Sequence, residues 1–379
     1  MTTVSVIVPA YNQSRFLGAA LESIFNQDFE DFELVVVDDG STDETADVVR
    51  SYKDARLHYY FQPNSGLSAA RNTGIRKSSG EFLAFLDADD LFLPSKLTSL
   101  LRAFHESPEL GLVAGQAILI DESGRRIGKT FSQGPPNPIE RMLLGNPLHV
   151  GSVLLRHGCQ EKVGYFDEML QSYEDWDYWL RLAYAGCRIG WVDEPVSMYR
   201  FHQDQMTRDG ETMTAAVFSV LNKFYFTSQL RGEWRSLRNE AYSRAHLRAA
   251  AQDFAAQNYD QANAHLGEAA KLNPKLLEDG GRPLADHFMA WIELPKFRDP
   301  LGFLNRIYSN LSDRFLSLKL RRRSELSKAA MMFAFDAYQV GDLRRARQAI
   351  VSAIRHDPKR LRDRGTISVL LRAYRIVPL

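Results

Sequence analysis

The chain has 379 residues, 45% of them hydrophobic and 25% charged, with two cysteines and a formal net charge of zero. Such a length accommodates two domains of ordinary globular composition, and Cys159 and Cys187 alone exclude a disulfide framework or a cysteine-built zinc cluster. The zero charge conceals an asymmetry: residues 1–204 hold 18 Lys+Arg against 29 Asp+Glu, a balance of −11, and residues 205–379 hold 29 against 18, a balance of +11, so the two parts suit different partners.

In chain order, Val4–Val8 reads as a strand, and Phe16, Leu17, Ala20, Leu21, Ile24 and Phe25 recur at helical spacing. Phe32–Val37 reads as the next strand and Asp43–Tyr52 as a helix. A short strand is expected at Leu57–Tyr60, a helix at Leu67–Lys77 and a buried strand at Glu81–Leu86. Beyond Pro94, Leu97, Leu100, Leu101 and Phe104 line one helical face, and residues 111–120 are strand-rich. This alternation predicts an α/β domain with a mainly parallel sheet, whose ligands bind beyond the carboxyl ends of the strands. The polar residues Tyr11, Asn12, Asp38, Asp39 and Asp87 to Asp90 lie at those ends. Residues 173–185 read as an amphipathic helix with Trp176, Trp179, Leu180 and Ala183 facing inward and acids in its first turn, where the helix dipole stabilises them.

The cluster Leu86-Asp87-Ala88-Asp89-Asp90 follows a buried strand. Three carboxylates at a strand end repel one another unless a cation sits among them. Mg²⁺ and Mn²⁺ bind such oxygens, usually through one or two carboxylates completed by substrate phosphates. The pattern therefore suggests a metal–diphosphate site, against the simpler reading of an acidic turn capping the next helix. Asp38 and Asp39 by themselves read as an Asx turn and helix cap. Gly124-Arg125-Arg126-Ile127-Gly128-Lys129-Thr130 has three residues between its glycines rather than four and is rejected as a phosphate loop.

Five segments, in order, resemble the family 2 inverting glycosyltransferases of GT-A fold. They are Val6-Ile7-Val8-Pro9-Ala10-Tyr11-Asn12, Leu34 to Asp43, Asn64 to Gly74, Phe85 to Asp90, and Tyr173-Glu174-Asp175-Trp176-Asp177 to Arg181. The resemblance covers residues 1–203. It implies a Rossmann-like GT-A domain over 1–204 and a donor that is a uridine or thymidine diphosphate sugar. Pro9, Ala10 and Tyr11 would pack on the base, with Asn12 also in the nucleotide-binding turn and Asp39 accepting the base's imide N–H. Asn64, Gly66, Arg71, Asp87 and Ala88 would line the donor. Asp89 would hold Mg²⁺ or Mn²⁺, with Asp87 and His202 as further candidate ligands. Asp175, with Glu174 beside it, would be the general base. His149 to Ser152 resembles an acceptor-side loop. The chain lacks the Gln-x-x-Arg-Trp signature and the tandem membrane spans of processive synthases.

From about residue 205 the sequence turns helical and rich in Ala, Leu and Arg. Tyr259-Asp260-Gln261-Ala262, Leu266, Ala269 and Pro274 line up, 84 positions on, with Leu343-Arg344-Arg345-Ala346, Ile350, Ala353 and Pro358. The pattern is similar to a tetratricopeptide hairpin, so residues 205–379 are expected to form an all-α, repeat-like basic domain. Phe303–Arg323 reads as one helix, apolar on one side and basic at its end, either packed or meeting a membrane surface. The N-terminus has no basic n-region and no apolar stretch reaches the length of a span, which implies a cytoplasmic protein with at most peripheral contact with the inner face of a membrane. The expected partners are a nucleotide-sugar donor and a glycan or lipid-linked acceptor. An anionic membrane or a protein could meet the helical part, and no nucleic acid is expected. The activity that follows is sugar transfer in surface polysaccharide or glycolipid assembly. The alternatives are a nucleotidyltransferase, which should show a Gly-rich basic loop in place of Pro9-Ala10-Tyr11-Asn12, and a helical-repeat adaptor with an inactive transferase domain.

Overall fold

Val4–Ala10, seven consecutive buried residues, form the central strand β1 in the computed structural model. The structure describes residues 2–127, 130–131, 134–202, 210–227, 229–230, 232–293 and 299–374. The chain divides into two compact units, Met1–Tyr242 and Ser243–Leu379. The change of sequence character near 204/205, and Gly128 and Lys129 of the rejected loop, lie outside the described residues.

In the first unit the chain continues through α1 (Ser14–Phe25), β2 (Phe32–Asp38), α2 (Thr45–Ser51), β3 (Leu57–Phe61), α3 (Leu67–Lys77), β4 (Phe82–Phe85), β5 (Leu91–Phe92) and α4 (Lys96–Glu106). It then runs through β6 (Leu110–Asp121), β7 (Val153–Arg156), α5 (His157–Val163), α6 (Glu174–Tyr184), β8 (Arg188–Phe201), α7 (Gly210–Thr227) and α8 (Gly232–Ser236). The eight strands form one mixed sheet in the order β3-β2-β1-β4-β7-β6-β8-β5. β3, β2, β1 and β4 are mutually parallel, so their carboxyl ends open on the same edge. β7 is antiparallel to β4 and β6, and β5 to β8.

Helix–sheet packing fixes α3 tightly. A Cβ on Gly74 would stand 2.3 Å from Ile7 Cγ2 of β1, so only glycine lets the helix come this close. Beneath α1 and α4 the core is built from Val4, Val6 and Val8, with Leu17, Leu21, Ile24, Leu97 and Leu100. This packing sets the strand ends, and the loops that leave them, as a fixed frame.

The second unit opens within α9 (Arg238–Ala256) and continues with α10 (Tyr259–Leu272), α11 (Glu278–Ile292), α12 (Pro300–Ser309), α13 (Leu316–Leu320), α14 (Arg322–Gln339), α15 (Leu343–His356) and α16 (Arg364–Ala373). The 84-residue repeat recurs in its hydrogen bonds. Ser243 Oγ donates to the Ala269 carbonyl at 2.8 Å and Ser327 Oγ to the Ala353 carbonyl at 2.9 Å. The turns before α10 and α15 place Gln257 and Gly341 in the left-handed region, with φ of 66° and 78°. Phe303–Arg323 is not one helix. α12 stops at Asn310, whose N–H bonds the Arg306 carbonyl and whose side chain reaches the same atom. Ser312 N–H then donates to Asn263 Oδ1, which turns the chain before α13.

Candidate active site

At the end of β1 the backbone passes through Asn12 with φ of 52°. Asn12 N–H donates to Ser41 Oγ and its Oδ1 accepts from Thr42 N–H, so the turns after β1 and β2 are clipped together. Gly40 closes the second turn with φ of 81°, and a Cβ there would meet Asn64 N at 2.7 Å. Pro9 and Ala10 are buried, Asn12 and Asn64 are exposed, and Tyr11 is 48% exposed.

Asp38 and Asp39 are both buried but differ in their partners. Asp38 accepts from Ser41 N–H and from the Tyr59 hydroxyl, which makes it a turn residue. Asp39 Oδ1 accepts from Gln62 Nε2 at 2.7 Å and Ser65 N–H at 3.0 Å, and Oδ2 from Gly66 N–H at 2.8 Å. An ionised carboxylate has about four acceptor positions, so one remains on Oδ2. Gly66, with φ of 92°, starts α3.

α3 carries Arg71, whose guanidinium is 1% exposed. It bonds Asp87 Oδ1 through one terminal nitrogen and Glu174 Oε1 through the other, each at 2.5 Å. Burial disfavours its charge, but the two carboxylates outweigh that cost and hold it firmly protonated. Arg71 thus joins the end of β4 to the start of α6.

The acidic cluster separates into distinct environments. Asp87 turns to Arg71, and Ala88 is buried. Asp89 lies 2.8 Å from His202 Nε2. Asp90 is buried; it accepts Arg200 N–H at 2.8 Å and faces His149 Nε2 at 3.1 Å. Burial pushes its carboxyl up to about 7 although His149 pulls the other way. Arg200 Nε also donates to the Asp89 carbonyl. The end of β8 is therefore pinned to the cluster, and His202 is delivered to Asp89. Among the described residues no group of three or more His, Cys, Asp or Glu side chains forms a metal cage. Asp89 and His202 do offer an oxygen and a nitrogen side by side, a partial donor set that substrate phosphates could complete.

Tyr173, with φ of 57°, turns the chain into α6. Trp176, Trp179, Leu180 and Ala183 are buried as expected, and Tyr178 and Leu182 on the other side are buried too, so the helix is enclosed on most sides; Trp176 Nε1 donates to the Met142 carbonyl. Its first turn holds Glu174, Asp175 and Asp177. Asp175 Oδ2 accepts from Asn146 Nδ2 at 2.8 Å and Oδ1 from Trp176 N–H at 2.7 Å. Loss of solvent, then the adjacent Glu174 carboxylate, push Asp175 up to about 7 against the pull of Arg71. Asp177 is bound instead by Arg181 and Lys223.

The structure gathers the expected residues into three groups: Tyr11, Asn12, Asp39 and Gly66; Asp89 with His202; and Asp87, Arg71 and Glu174 with Asp175 next in the chain. Sequence reasoning missed Asn146 and Arg200, which orient Asp175 and the acidic cluster. It also missed Lys96, a fully buried amine whose pKa burial pushes well down and which donates to the Gly151 carbonyl at 2.8 Å, holding the His149–Ser152 loop. Only Lys96 left a signal, as a cation at the start of an apolar helix.

Residues 5–156 match the profile of "Glycosyl transferase family 2". These residues are a family 2 glycosyltransferase domain. The chain is 33% identical over 211 residues to an uncharacterized glycosyltransferase of Rickettsia bellii, covering 54% of this chain and 29% of that one. It is 38% identical over 135 residues to one from Nostoc sp., covering 35% and 42%, and 29% identical over 217 residues to one from Haemophilus influenzae, covering 55% and 72%. It thus spans 29%, 33% and 35% of three Rickettsia relatives. The fold is GT-A, as the likeness to two solved structures shows. Residues 1–349 of Staphylococcus aureus TarS align at a TM-score of 0.50, with 20% identity over 89% of this chain and 92% of that one. The mannosyltransferase PcManGT from Pyrobaculum calidifontis, solved with GDP-Man and Mn²⁺, aligns at 0.53, with 19% identity over 84% and 86%.

Proposed function

We propose that this domain is a metal-dependent inverting glycosyltransferase. It moves a sugar from a uridine or thymidine diphosphate donor to a hydroxyl of a glycan or lipid-linked acceptor, in surface polysaccharide or glycolipid assembly. The observation that carries this reading is the Arg71 bridge, which places Asp87 of the donor segment and Glu174, beside Asp175, on one guanidinium.

Each group then has work that its surroundings suit. Tyr11 offers a ring face to the base, and Asp39 has an acceptor position left for the imide N–H. Asn12, Asn64 and Gly66 hold the loops around the base, with Pro9, Ala10 and Ala88 as packing. Asp89 and His202 would hold Mg²⁺ or Mn²⁺, which when bound neutralises the leaving diphosphate as a Lewis acid. Asp87 orients the donor side through Arg71. Asp175 takes the proton of the acceptor hydroxyl as the sugar transfers in line, the role of the base carboxylate in inverting glycosidases. Its two hydrogen bonds fix the carboxylate, and a pKa near the working pH suits a base.

Asp175→Asn tests the assignment. Turnover should fall about 10²- to 10⁴-fold, the usual contribution of a general base, while calorimetry finds donor affinity within about twofold, since the amide is nearly isosteric. Near-parental turnover, or a product of retained anomeric configuration by NMR, would sink the reading.

A further inference from the structure

The second unit carries charge that its own packing does not consume. Residues 301–379 hold 17 Lys+Arg against 6 Asp+Glu. α14 and α15 are joined by the turn around Gly341, and the Ser327–Ala353 bond ties the start of one to the end of the other. Arg360 Nε reaches Ser327 Oγ at 3.2 Å, so the 3₁₀ turn Pro358–Arg362 sits at this same end. Arg322 and Arg323 lie near enough to help burial hold the His356 imidazole below its ordinary value. Arg322, Arg323, Arg355, Lys359 and Arg362 are all exposed.

The acids of this end are engaged elsewhere. Glu325 is buried between Arg321 and Lys328. Asp357 caps Lys359 N–H, and Asp363 caps Gly365 N–H beside Arg360. Arg322 donates to Asn305 Oδ1, a neutral partner. The excess is therefore positive, and two large apolar side chains stand in water with it: Leu320 is 80% exposed and Leu361 52%. A polyanion such as a nucleic acid would use the cations alone. An anionic bilayer uses both, with cations among the headgroups and leucines at the acyl boundary.

We propose that this end of the α14–α15 hairpin is a docking surface for an anionic lipid bilayer. The cations supply long-range attraction, and Leu320 and Leu361 enter the interface. The inference rests on the second unit alone and stands whether or not the first transfers sugar.

The test is co-sedimentation of the full chain with phosphatidylglycerol-containing vesicles and with pure phosphatidylcholine vesicles. Binding should be confined to the anionic vesicles and weaken as salt rises. Changing Arg322, Arg323 and Lys359 together to Ala should lower partitioning about 10²-fold, from the typical worth of a cation at an anionic leaflet. Changing Leu320 and Leu361 together to Ser leaves the charge alone and should lower it about tenfold, as expected for apolar burial. All five side chains are exposed, and circular dichroism matching the parent protein checks the fold. Absence of binding at low salt, or equal binding to neutral vesicles, would overturn the proposal. So would anionic binding that ignores the leucine change and is displaced by an oligonucleotide, which would mark a general polyanion site.

Discussion

At the strand ends of the first unit, Asp38, Asp39, Arg71, Asp90, Glu174, Asp177 and Arg200 are all buried. In the second unit Glu325 is the one buried charged side chain among the described residues, and the core is Ala, Leu, Phe and Ile with hydroxyls at helix crossings. Burying a charge is costly unless it is paired, so a fold retains it only where something else depends on it. The first unit keeps its charges in separate paired sets, among them Arg71 with Asp87 and Glu174, and Asp90 with Arg200 and His149. The second keeps its charges in water and achieves order by fitting small residues between helices. Desolvated charge thus marks where chemistry is to be sought in the first unit.

The largest effect expected from this contrast is at Arg71. Arg71→Leu leaves Asp87 and Glu174 facing each other without their cation and should destabilise the first unit by about 3–5 kcal/mol, as for a broken buried pair. Urea unfolding measures it, and a loss below about 1 kcal/mol would show that the bridge is not what holds these elements. A smaller effect is expected in the pH profile. Asp175 is pushed up to about 7, and its protonated form cannot accept a proton. Below that pH, kcat/KM should fall about tenfold per unit, and above it the profile should level. Glu174→Gln removes the neighbouring negative charge and should move this limb to lower pH; a limb unmoved by that change would deny the coupling. The smallest effect lies in the repeat. Ser243→Ala removes one buried hydroxyl bond and should cost about 1 kcal/mol, and Ser327→Ala, which also loses the bond from Arg360, should cost more. Equal losses in thermal unfolding would show that the Arg360 bond adds nothing to the second copy.

Much of the frame was legible. β1 and β2 are apolar runs bounded by polar turns, and the helix expected at Leu67–Lys77 has the bounds of α3. The 84-residue repeat was visible because Ala and Pro recur wherever helices cross or stop. β8 was not foreseen: its burial does not alternate, and its pairing with β6 shifts register three times, so no period of two survives. Phe303–Arg323 misled because its apolar spacing continues across Asn310, where the break comes from side-chain bonds to Arg306 and Asn263. Within the site, residue types could be read but not their sorting. Asp87, Asp89 and Asp90 are near neighbours in sequence, and only tertiary partners give one an arginine, one a histidine and one a buried backbone N–H. Asn146 was illegible for the same reason, since its partner Asp175 is 29 residues away.

The carboxylate of Asp39 grips the N–H groups of Ser65 and Gly66, and Gly66 begins the helix that carries Arg71. A base read at Asp39 would therefore press on the same lever that aligns Glu174. Recognition and turnover would then be mechanically one part. On the proposed function, donors with an ill-fitting base would be penalised in kcat as well as in KM, and a change of nucleotide would have to reshape the turn at Gly66 along with Asp39.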